Sequence, residues 1–327
     1  MPREAPRADI DVSSPPIRRF TGGIVDTHTH ISCAADARLL AGVARQFGIQ
    51  VLCGVVRLEA IGELKRALGD AFRPIVHVDH SLLPDGDLFC RENVRIIREA
   101  RIQGAVAAKF WYSPRFTAES GFRLDNPYLR PVFEALVEQG MAALVHVADP
   151  DCWFRDHYAD AARYGTKQSQ YDALEAVLAA FPGLRVQGAH FGGDPEDLDH
   201  VRRLLDAYPN YFIDTSATKW IARELSLKPA ESRAFVIERA DRIVFGSDLV
   251  AFATATPAHY GSRYWAQRWL WEGEGARPSP IPDPCAPWPD GPRVEGLALP
   301  DDVLARIYQA NACRLLGVDT ASEEHTK

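Results

Sequence analysis

The stretch IVDTHTHISC, residues 24–33, places a carboxylate and two imidazoles at every second position of an otherwise apolar run. Alternate side chains of a β-strand face the same way, so Asp26, His28 and His30 are predicted to share one face of a strand over 24–30. Histidine and carboxylate side chains are the groups that divalent metals accept as ligands. The sequence therefore predicts a metal-binding strand near the start of the chain.

Seven further apolar runs follow, and helical patterns separate them. The eight predicted strands cover residues 24–30, 51–57, 74–80, 105–111, 142–148, 185–191, 211–217 and 243–249. Alternating strands and helices imply parallel strands joined by right-handed crossovers, and eight such units indicate an α/β fold, the (β/α)8 TIM barrel. An open doubly wound sheet is disfavoured, because the first strand ends in histidine and not in a GxGxxG turn.

One barrel domain is predicted over residues 21–318, preceded by a flexible polar arm at 1–20 and followed by a tail at 319–327. A long insertion after strand eight, at about 250–298, includes YWAQRWLWE and the proline-rich stretch 276–292. Proline-rich sequence favours irregular structure, so this insertion is predicted to form an irregular cover over the site.

Composition restricts the class of protein. The chain has 327 residues, of which 46% are hydrophobic and 25% charged, as in soluble globular proteins. Its net charge of −7 disfavours nucleic acid and anionic membranes as partners, and there is no apolar run long enough to span a membrane. The amino terminus lacks the apolar core of a signal peptide, and six scattered cysteines without a CxxC pair suggest free thiols. A cytoplasmic protein is expected.

Five of the predicted strands end in residues that bind metals or charged groups: His30, Lys109, His146, His190 and Asp248. The carboxyl ends of barrel strands form one mouth, so these side chains are predicted to converge. Each alone has a simple alternative, such as a hydrogen-bonded histidine, a lysine that reaches water or an aspartate in a turn. Together they favour a site for zinc, manganese or iron.

The segments that carry these residues resemble the amidohydrolase superfamily: DTHTH (26–30), LVHVAD (144–149), QGAHFGG (187–193) and FGSDL (245–249). The similarity is to its amidohydrolase-related branch (amidohydrolase 2), and it covers about residues 22–318. Members of that branch are metal-dependent TIM-barrel hydrolases, lactonases, hydratases and non-oxidative decarboxylases. The resemblance implies an enzyme with a divalent metal, zinc being the expected ion and manganese or iron the alternatives.

Residue by residue, the resemblance implies that His28, His30 and His146 ligate the metal. Asp248 would bind the same ion and take a proton from bound water. His190 would act as an acid/base residue that polarises the reacting group, or would ligate a second metal. Lys109 lies where some members carry a carboxylated lysine between two metals, but it could equally be a cation that binds a substrate carboxylate. One metal ion is therefore expected, or two if Lys109 is carboxylated.

This set of groups permits two reactions. A metal-bound water has a pKa of about 7, so hydroxide could attack an amide or lactone while Asp248 carries its proton and His190 polarises the carbonyl. The same set could release carbon dioxide from, or hydrate, an aromatic or unsaturated acid. A third hypothesis, a barrel that holds a structural metal and binds a partner, is disfavoured because structural sites usually close their coordination sphere.

Further residues near the strand ends are predicted to contact a small-molecule substrate. Arg57, His80, Lys109 and Arg115 are candidates for binding a carboxylate, and the aromatic candidates for the pocket wall are Trp111, Tyr112, Trp153 and Trp220. Asp26, two residues before His28, is predicted to orient a metal ligand by a hydrogen bond or to make core hydrogen bonds, and Asp149 could orient a ligand or start a loop. The role of Asp214 is left open between the barrel mouth and a turn. A homodimer is a possible assembly.

Overall fold

The computed structural model of the protein describes residue 7, residues 9–83 and residues 85–318. Within these residues, nine parallel strands form one curled sheet, in which the first eight pair in chain order and the ninth pairs with the first. The strands are β1 Ile24–His30, β2 Ile49–Val56, β3 Phe72–His77, β4 Ala107–Trp111, β5 Ala142–His146, β6 Val186–Gly188, β7 Tyr211–Asp214, β8 Ile243–Val244 and β9 Leu249–Val250.

The predicted eighth strand is divided into β8 and β9, which are separated by residues 245–248. β8 pairs with β7, while β9 pairs with β1, so the chain itself closes the ring. Two hydrogen bonds support the closure: Thr27 N donates to Phe245 O (2.9 Å), and Asp248 N donates to His28 O (2.8 Å). The predicted TIM-barrel fold is confirmed.

Helices follow the strands and cover the outside of the sheet. They are α1 Ala34–Gln46, α2 Ile61–Leu68, α3 Gly86–Ile102, α4 Pro114–Ser120, α5 Arg130–Glu138, α6 Asp151–Asp156, α7 Ala161–Tyr164, α8 Lys167–Ala180, α9 Leu198–Ala207, α10 Thr218–Leu227, α11 Pro229–Glu238, α12 Pro257–Glu272, α13 Asp301–Ala305 and α14 Asn311–Leu316. A π-helical turn, Arg306–Ala310, joins the last two. The chain then leaves the helix at Gly317, whose φ of 65° suits glycine.

Two apolar layers form the core. The larger lies between the sheet and the helices, and a smaller cluster, which includes Val25, Ile75, Leu144 and Val244, fills the inside of the barrel. Alternation along each strand separates the layers, since side chains of one parity face inward and those of the other face the helices. The strand ends are left for polar groups.

The segment after strand eight differs from the expected irregular insertion. Its first half is the buried helix α12, and its second half contains an antiparallel hairpin of β10 Glu274–Pro278 and β11 Arg293–Leu297. The loop between them, residues 279–292, is called the cover loop below. It holds most of the proline residues of the segment, which explains why only this part is irregular.

The described part of the predicted arm packs on the barrel. Val12 is buried in the core, and Arg19 N donates to the carboxylate of Glu272 in α12 (2.7 Å). The predicted tail at 319–327 lies outside the described residues. In the described residues, none of the helices combines the length and apolar character that crossing a membrane requires.

Candidate metal centre and active site

Three side chains, from the first strand and from the turn before the last strand, meet at the mouth of the barrel. His28 and His30 lie on β1, and Asp248 lies in the turn that precedes β9. Asp248 Oδ1 is 3.1 Å from His30 Nε2 and 3.4 Å from His28 Nε2, and one ligand atom from each residue lies within 4.8 Å of the others. Two imidazoles and a carboxylate at this spacing fit a divalent cation of the zinc, manganese or iron type.

Asp214, at the end of β7, orients His28. Its Oδ2 accepts a hydrogen bond from His28 Nδ1 (2.9 Å), so the other ring nitrogen, Nε2, faces Asp248. Burial alone would raise the pKa of Asp214, but the adjacent His28 ring outweighs it and holds the pKa well below its usual value. A carboxylate behind a histidine is the usual way in which proteins fix the orientation of a metal ligand. The role of Asp214, which the sequence left open, is thus at the barrel mouth.

Lys109 lies beside the same histidine. Its Nζ is 3.0 Å from His28 Nε2, and only 2% of the residue is exposed. Burial lowers the pKa of Lys109 to about 8, because an ammonium ion is poorly solvated there. An amine with this pKa is partly neutral at physiological pH, so it can approach a metal ion or react with carbon dioxide.

His190 and His146 form a second pair of imidazoles. His190 Nε2 is 3.1 Å from His146 Nδ1, and burial lowers the pKa of His190 to about 3, so the His190 ring is neutral. His146 Nε2 lies 3.3 Å from Asp149 Oδ1. The structure therefore brings His146 to His190 and Asp149, and not into the group of His28, His30 and Asp248; its role as a third ligand stays a prediction.

The backbone is unusual at the two predicted catalytic residues. His190 has φ 60° and Asp248 has φ 58°, a left-handed conformation that is uncommon outside glycine. Buried hydrogen bonds hold both: His190 N donates to Asp214 Oδ1 (2.8 Å), and Asp248 N donates to His28 O. Such strain persists only where the surroundings enforce it, and it is concentrated at functional sites.

Asp26 does not face inward as the alternation predicted. In the pairing of β1 with β2, Asp26 lies opposite Leu52 but Thr29 lies opposite Gly54, so β1 contains one extra residue. This β-bulge breaks the alternation between Asp26 and His28. Asp26 instead accepts hydrogen bonds from Ser247 Oγ (2.6 Å) and from Tyr264 OH (2.9 Å) on α12. It also accepts a hydrogen bond from His28 N (3.2 Å), so it connects the strand that carries His28 to the turn that carries Asp248. Its role in orienting a ligand stays a prediction.

Two cavities adjoin the group of His28, His30 and Asp248, which is called the candidate metal-ligand group below. The larger, of about 620 Å³, is lined by His146, His190 and Asp248, by Trp153 and Trp220, and by Arg263 and His259 of α12, with Cys152 and Cys285 at one wall. The smaller, of about 310 Å³, is lined by His30, Arg57, His77 and Val250 among others. Asp248 thus faces one cavity while His30 faces the other.

The predicted substrate-binding residues are divided between these cavities and other places. Trp153 lines the larger cavity and Arg57 the smaller one. Trp111 is 43% exposed, with its ring 6.4 Å from that of His146. Arg115 is exposed on α4.

Tyr112 and His80 lie outside both cavities, in contrast to the prediction. Lys109 and Trp111 are alternate residues of β4, on the side of the strand that faces the inside of the barrel. Tyr112 therefore points to the helices and packs on Phe116 of α4. His80 lies beyond the end of β3, among the same aromatic rings and beside a third cavity of about 240 Å³, which shares Arg57 and His77 with the smaller one. Burial lowers the pKa of His80 to about 4.

His77 is one of the residues that the sequence analysis missed. It ends β3, pairs with Lys109 in the sheet and lines the smaller cavity beside His30 and Arg57. The signal was present in PIVHVDH (74–80), but the strand end was placed three residues too late and His80 was chosen. Arg263 and His259 were missed because α12 was assigned to an irregular insertion.

A further acidic cluster, outside the group of His28, His30 and Asp248, already has its cation. Asp151, Asp194 and Glu196 lie close together, and Lys167 Nζ is 2.7 Å from Asp151 Oδ1 and 2.6 Å from Asp194 Oδ1. The ammonium group occupies the place that a metal would need, so this cluster is an ion-pair network.

A closed α/β barrel with histidines on the first strand and an aspartate at the end of the eighth defines the class of metal-dependent TIM-barrel enzymes. The family model described as "Amidohydrolase" matches residues 6–318, so the chain belongs to the amidohydrolase family, as its sequence motifs indicated. No curated protein matches the chain.

Solved structures with the same fold share little sequence with this chain. A 2,6-dihydroxybenzoate decarboxylase complexed with 2,6-dihydroxybenzoate is 14% identical, with a TM-score of 0.55 over 90% of this chain and 99% of that one. A 5-carboxyvanillate decarboxylase from Novosphingobium aromaticivorans, complexed with manganese, is 12% identical, with a TM-score of 0.54 over 94% and 99%. A dihydroorotase from Campylobacter jejuni is 14% identical, with a TM-score of 0.52 over 92% and 85%. At these identities the similarity establishes the fold alone.

Proposed function

We propose that the protein is a metal-dependent hydrolase that cleaves an amide or lactone of a small, carboxylate-bearing organic molecule. The observation that carries the proposal is the meeting of one ligand atom each from His28, His30 and Asp248 within 4.8 Å at the mouth of the barrel. These three residues would hold a divalent ion, with zinc as the expected metal. His146 is the proposed further ligand.

A bound divalent metal would supply hydroxide at neutral pH and would polarise the substrate carbonyl. The chain supplies the proton transfers. Burial would raise the pKa of Asp248, but His190 and His28, together with the hydrogen bond from His30, outweigh burial and keep the carboxyl ionised. Asp248 can therefore accept the proton of the attacking water and pass it to the leaving group, while the neutral His190 ring can donate a hydrogen bond to the carbonyl oxygen.

The substrate would lie in the larger cavity, where Asp248 and His190 are both accessible. Trp153 and Trp220 offer flat apolar walls, and Arg263 offers a guanidinium that suits a carboxylate. A small planar acid derivative matches these surroundings. Arg57 and His77 in the smaller cavity could bind a second anionic group of the same molecule.

The second candidate function is non-oxidative decarboxylation or hydration of an aromatic or unsaturated acid. The tryptophan walls favour it, and two of the structural neighbours are named as decarboxylases of aromatic acids. In decarboxylation an acid of the chain protonates the ring carbon and carbon dioxide leaves. No oxygen from water enters the aromatic product.

Isotope tracing separates the two reactions. The metal-loaded protein is incubated in H2¹⁸O with a panel of aromatic amides, lactones and carboxylic acids, and the products are analysed by mass spectrometry. Hydrolysis cleaves the substrate and incorporates one ¹⁸O into the product acid, whereas decarboxylation releases carbon dioxide and places a solvent proton on carbon. Hydration leaves the substrate uncleaved and adds one whole water molecule, with its ¹⁸O. The absence of any turnover that depends on metal and on Asp248 would overturn both candidates.

A further inference from the structure

Two cysteines from distant parts of the chain meet at the wall of the larger cavity. Cys152 lies on α6, after β5, and Cys285 lies in the cover loop, 133 residues later. Their Sγ atoms are 2.9 Å apart, and both residues are half-buried. Among the cysteines that the structure describes, Cys33, Cys53, Cys90 and Cys313 have no sulfur atom as a hydrogen-bond partner.

The position of Cys285 is fixed by buried interactions within and around the cover loop. Cys285 N donates to Asp283 Oδ1 (3.0 Å), and Asp283 Oδ2 accepts from Arg223 Nη1 of α10 (2.7 Å). The side chains of Arg223 and Asp283 are 6% and 3% exposed, so this ion pair is shielded from water. The cover loop is therefore held against the barrel at the point where Cys285 faces Cys152.

The other thiol is also held in place. The first turn of α6 is tied to the loop after β6, because Asp151 N donates to Glu196 Oε1 (3.1 Å) and Asp151 Oδ1 accepts from Lys167 Nζ. Cys152 follows directly. Both sulfurs are thus positioned by their own segments, and their approach does not depend on a bond between them.

We infer that Cys152 and Cys285 are a modification site at which a low-molecular-weight disulfide or a peroxide forms a reversible intramolecular disulfide, fastening the cover loop to α6 beside the active-site cavity. With oxidised glutathione, the two protein thiols lose two electrons and two protons and form one S–S bond, while the glutathione disulfide is cleaved to two glutathione thiols. Glutathione in excess reverses the exchange. The site does not depend on which reaction the metal centre catalyses.

The disulfide would lower the mobility of one wall of the larger cavity. In the dithiol state the cover loop is held by hydrogen bonds and the Arg223–Asp283 ion pair, and these can open together. In the disulfide state Cys285 cannot leave Cys152, so the cavity wall formed by Trp153 and Pro284 stays assembled. Because Cys152 and Cys285 are 133 residues apart, a disulfide between them removes many of the conformations in which the cover loop is open.

The test uses the full-length protein in glutathione redox buffers. After alkylation of free thiols and tryptic digestion without reductant, mass spectrometry is expected to detect a Cys152–Cys285 cross-linked peptide and the loss of two alkylated thiols per chain. Dithiothreitol restores both. Hydrogen exchange of the cover-loop amides should slow by about tenfold or more in the oxidised protein, while exchange in α3 stays unchanged.

Matched variants complete the test. Cys285→Ser should abolish the cross-link and leave a glutathione adduct on Cys152, whereas Cys90→Ser, at a half-buried cysteine on α3, should behave like the parent. Three outcomes overturn the inference: glutathione adducts on Cys152 and Cys285 without a cross-link, pairing of either residue with a different cysteine, or a cross-link that leaves cover-loop exchange unchanged.

Discussion

At Asp248 a strained backbone and a charged side chain coincide, which gives the residue two separable roles. Asparagine tolerates the left-handed conformation nearly as well as aspartate, so Asp248→Asn should keep the turn between β8 and β9. The amide still offers one oxygen to a metal but accepts no proton from water. We expect partial retention of metal and a fall in turnover of about 10³-fold.

Metal content by elemental analysis and turnover by product formation check this expectation. Asp199→Asn, at an exposed site on α9, is the control for a neutralised charge. Unchanged turnover in Asp248→Asn would rule out its role as proton carrier.

The orientation of His28 depends on Asp214. This carboxylate accepts hydrogen bonds from His28 Nδ1, from Gln187 Nε2 (2.8 Å) and from the backbone of His190 and Ser216. Asparagine offers one oxygen where two are needed, so Asp214→Asn must leave a donor unpaired. We expect metal affinity to fall by about 10- to 100-fold, measured by competition with a chromophoric chelator. An affinity equal to that of the parent would mean that Nε2 of His28 is not the ligand atom.

The predicted number of metal ions depends on whether Lys109 is carboxylated. If its amine is carboxylated and bridges two ions, Lys109→Ala should lower the metal content from two ions per chain to one. Metal analysis of protein prepared with bicarbonate tests this. One ion in both the parent and the variant would exclude the bridged pair, and Lys109 would then be a candidate for binding substrate.

At the scale of elements, α12 joins both ends of the chain to the barrel. Arg268 and Glu272 form an ion pair in which each residue is 1% exposed. Arg268 Nη1 donates to Phe47 O (2.6 Å), and Glu272 accepts from Tyr308 OH (2.9 Å) and from Arg19 N. One buried pair thus connects α12 with the start of the chain, with α1 and with the C-terminal helix.

Removing one partner of this pair should be costly, because it leaves the other charge buried. We expect Arg268→Met to lower the free energy of unfolding by about 3–5 kcal/mol, measured by urea denaturation. The double variant Arg268→Met/Glu272→Met should lose less than the single variant, since neither charge remains. A double variant less stable than the single one would contradict this account.

The sequence predicted elements better than it predicted their ends. β1 has the predicted bounds because His30 is followed by a loop, but β3 ends at His77 and not at His80. Apolar periodicity continues past the last ladder hydrogen bond, so a strand end cannot be located from the pattern alone. The bulge in β1 was also invisible, because one extra residue leaves the composition unchanged while it turns Asp26 toward α12.

At the scale of the whole molecule, the fold was predictable because eight alternating units allow few other arrangements. The convergence of His30, Lys109, His190 and Asp248 at one mouth followed from that topology. The contacts of His146 with His190, and of Asp214 with His28, depend on rotamers and backbone turns that a one-dimensional pattern does not carry.

The barrel has its own apolar core, so we expect the protein to fold without the metal. We expect chelation to leave the far-ultraviolet circular dichroism unchanged and to abolish turnover. Zinc at about 100 times its dissociation constant should raise the melting temperature by about 4 °C, since a ligand of the native state stabilises it by mass action. Loss of secondary structure on chelation would instead indicate a structural metal.

The histidines and the aspartate of the candidate metal-ligand group are synthesised at different times, because they are far apart in the sequence. His30 leaves the ribosome 218 residues before Asp248, and Phe245 N still needs the carbonyl of Ile307. A nascent chain that ends before Asp248 lacks one of the three residues of this group. We therefore expect an ion at this group to be acquired only after β9 has been inserted beside β1.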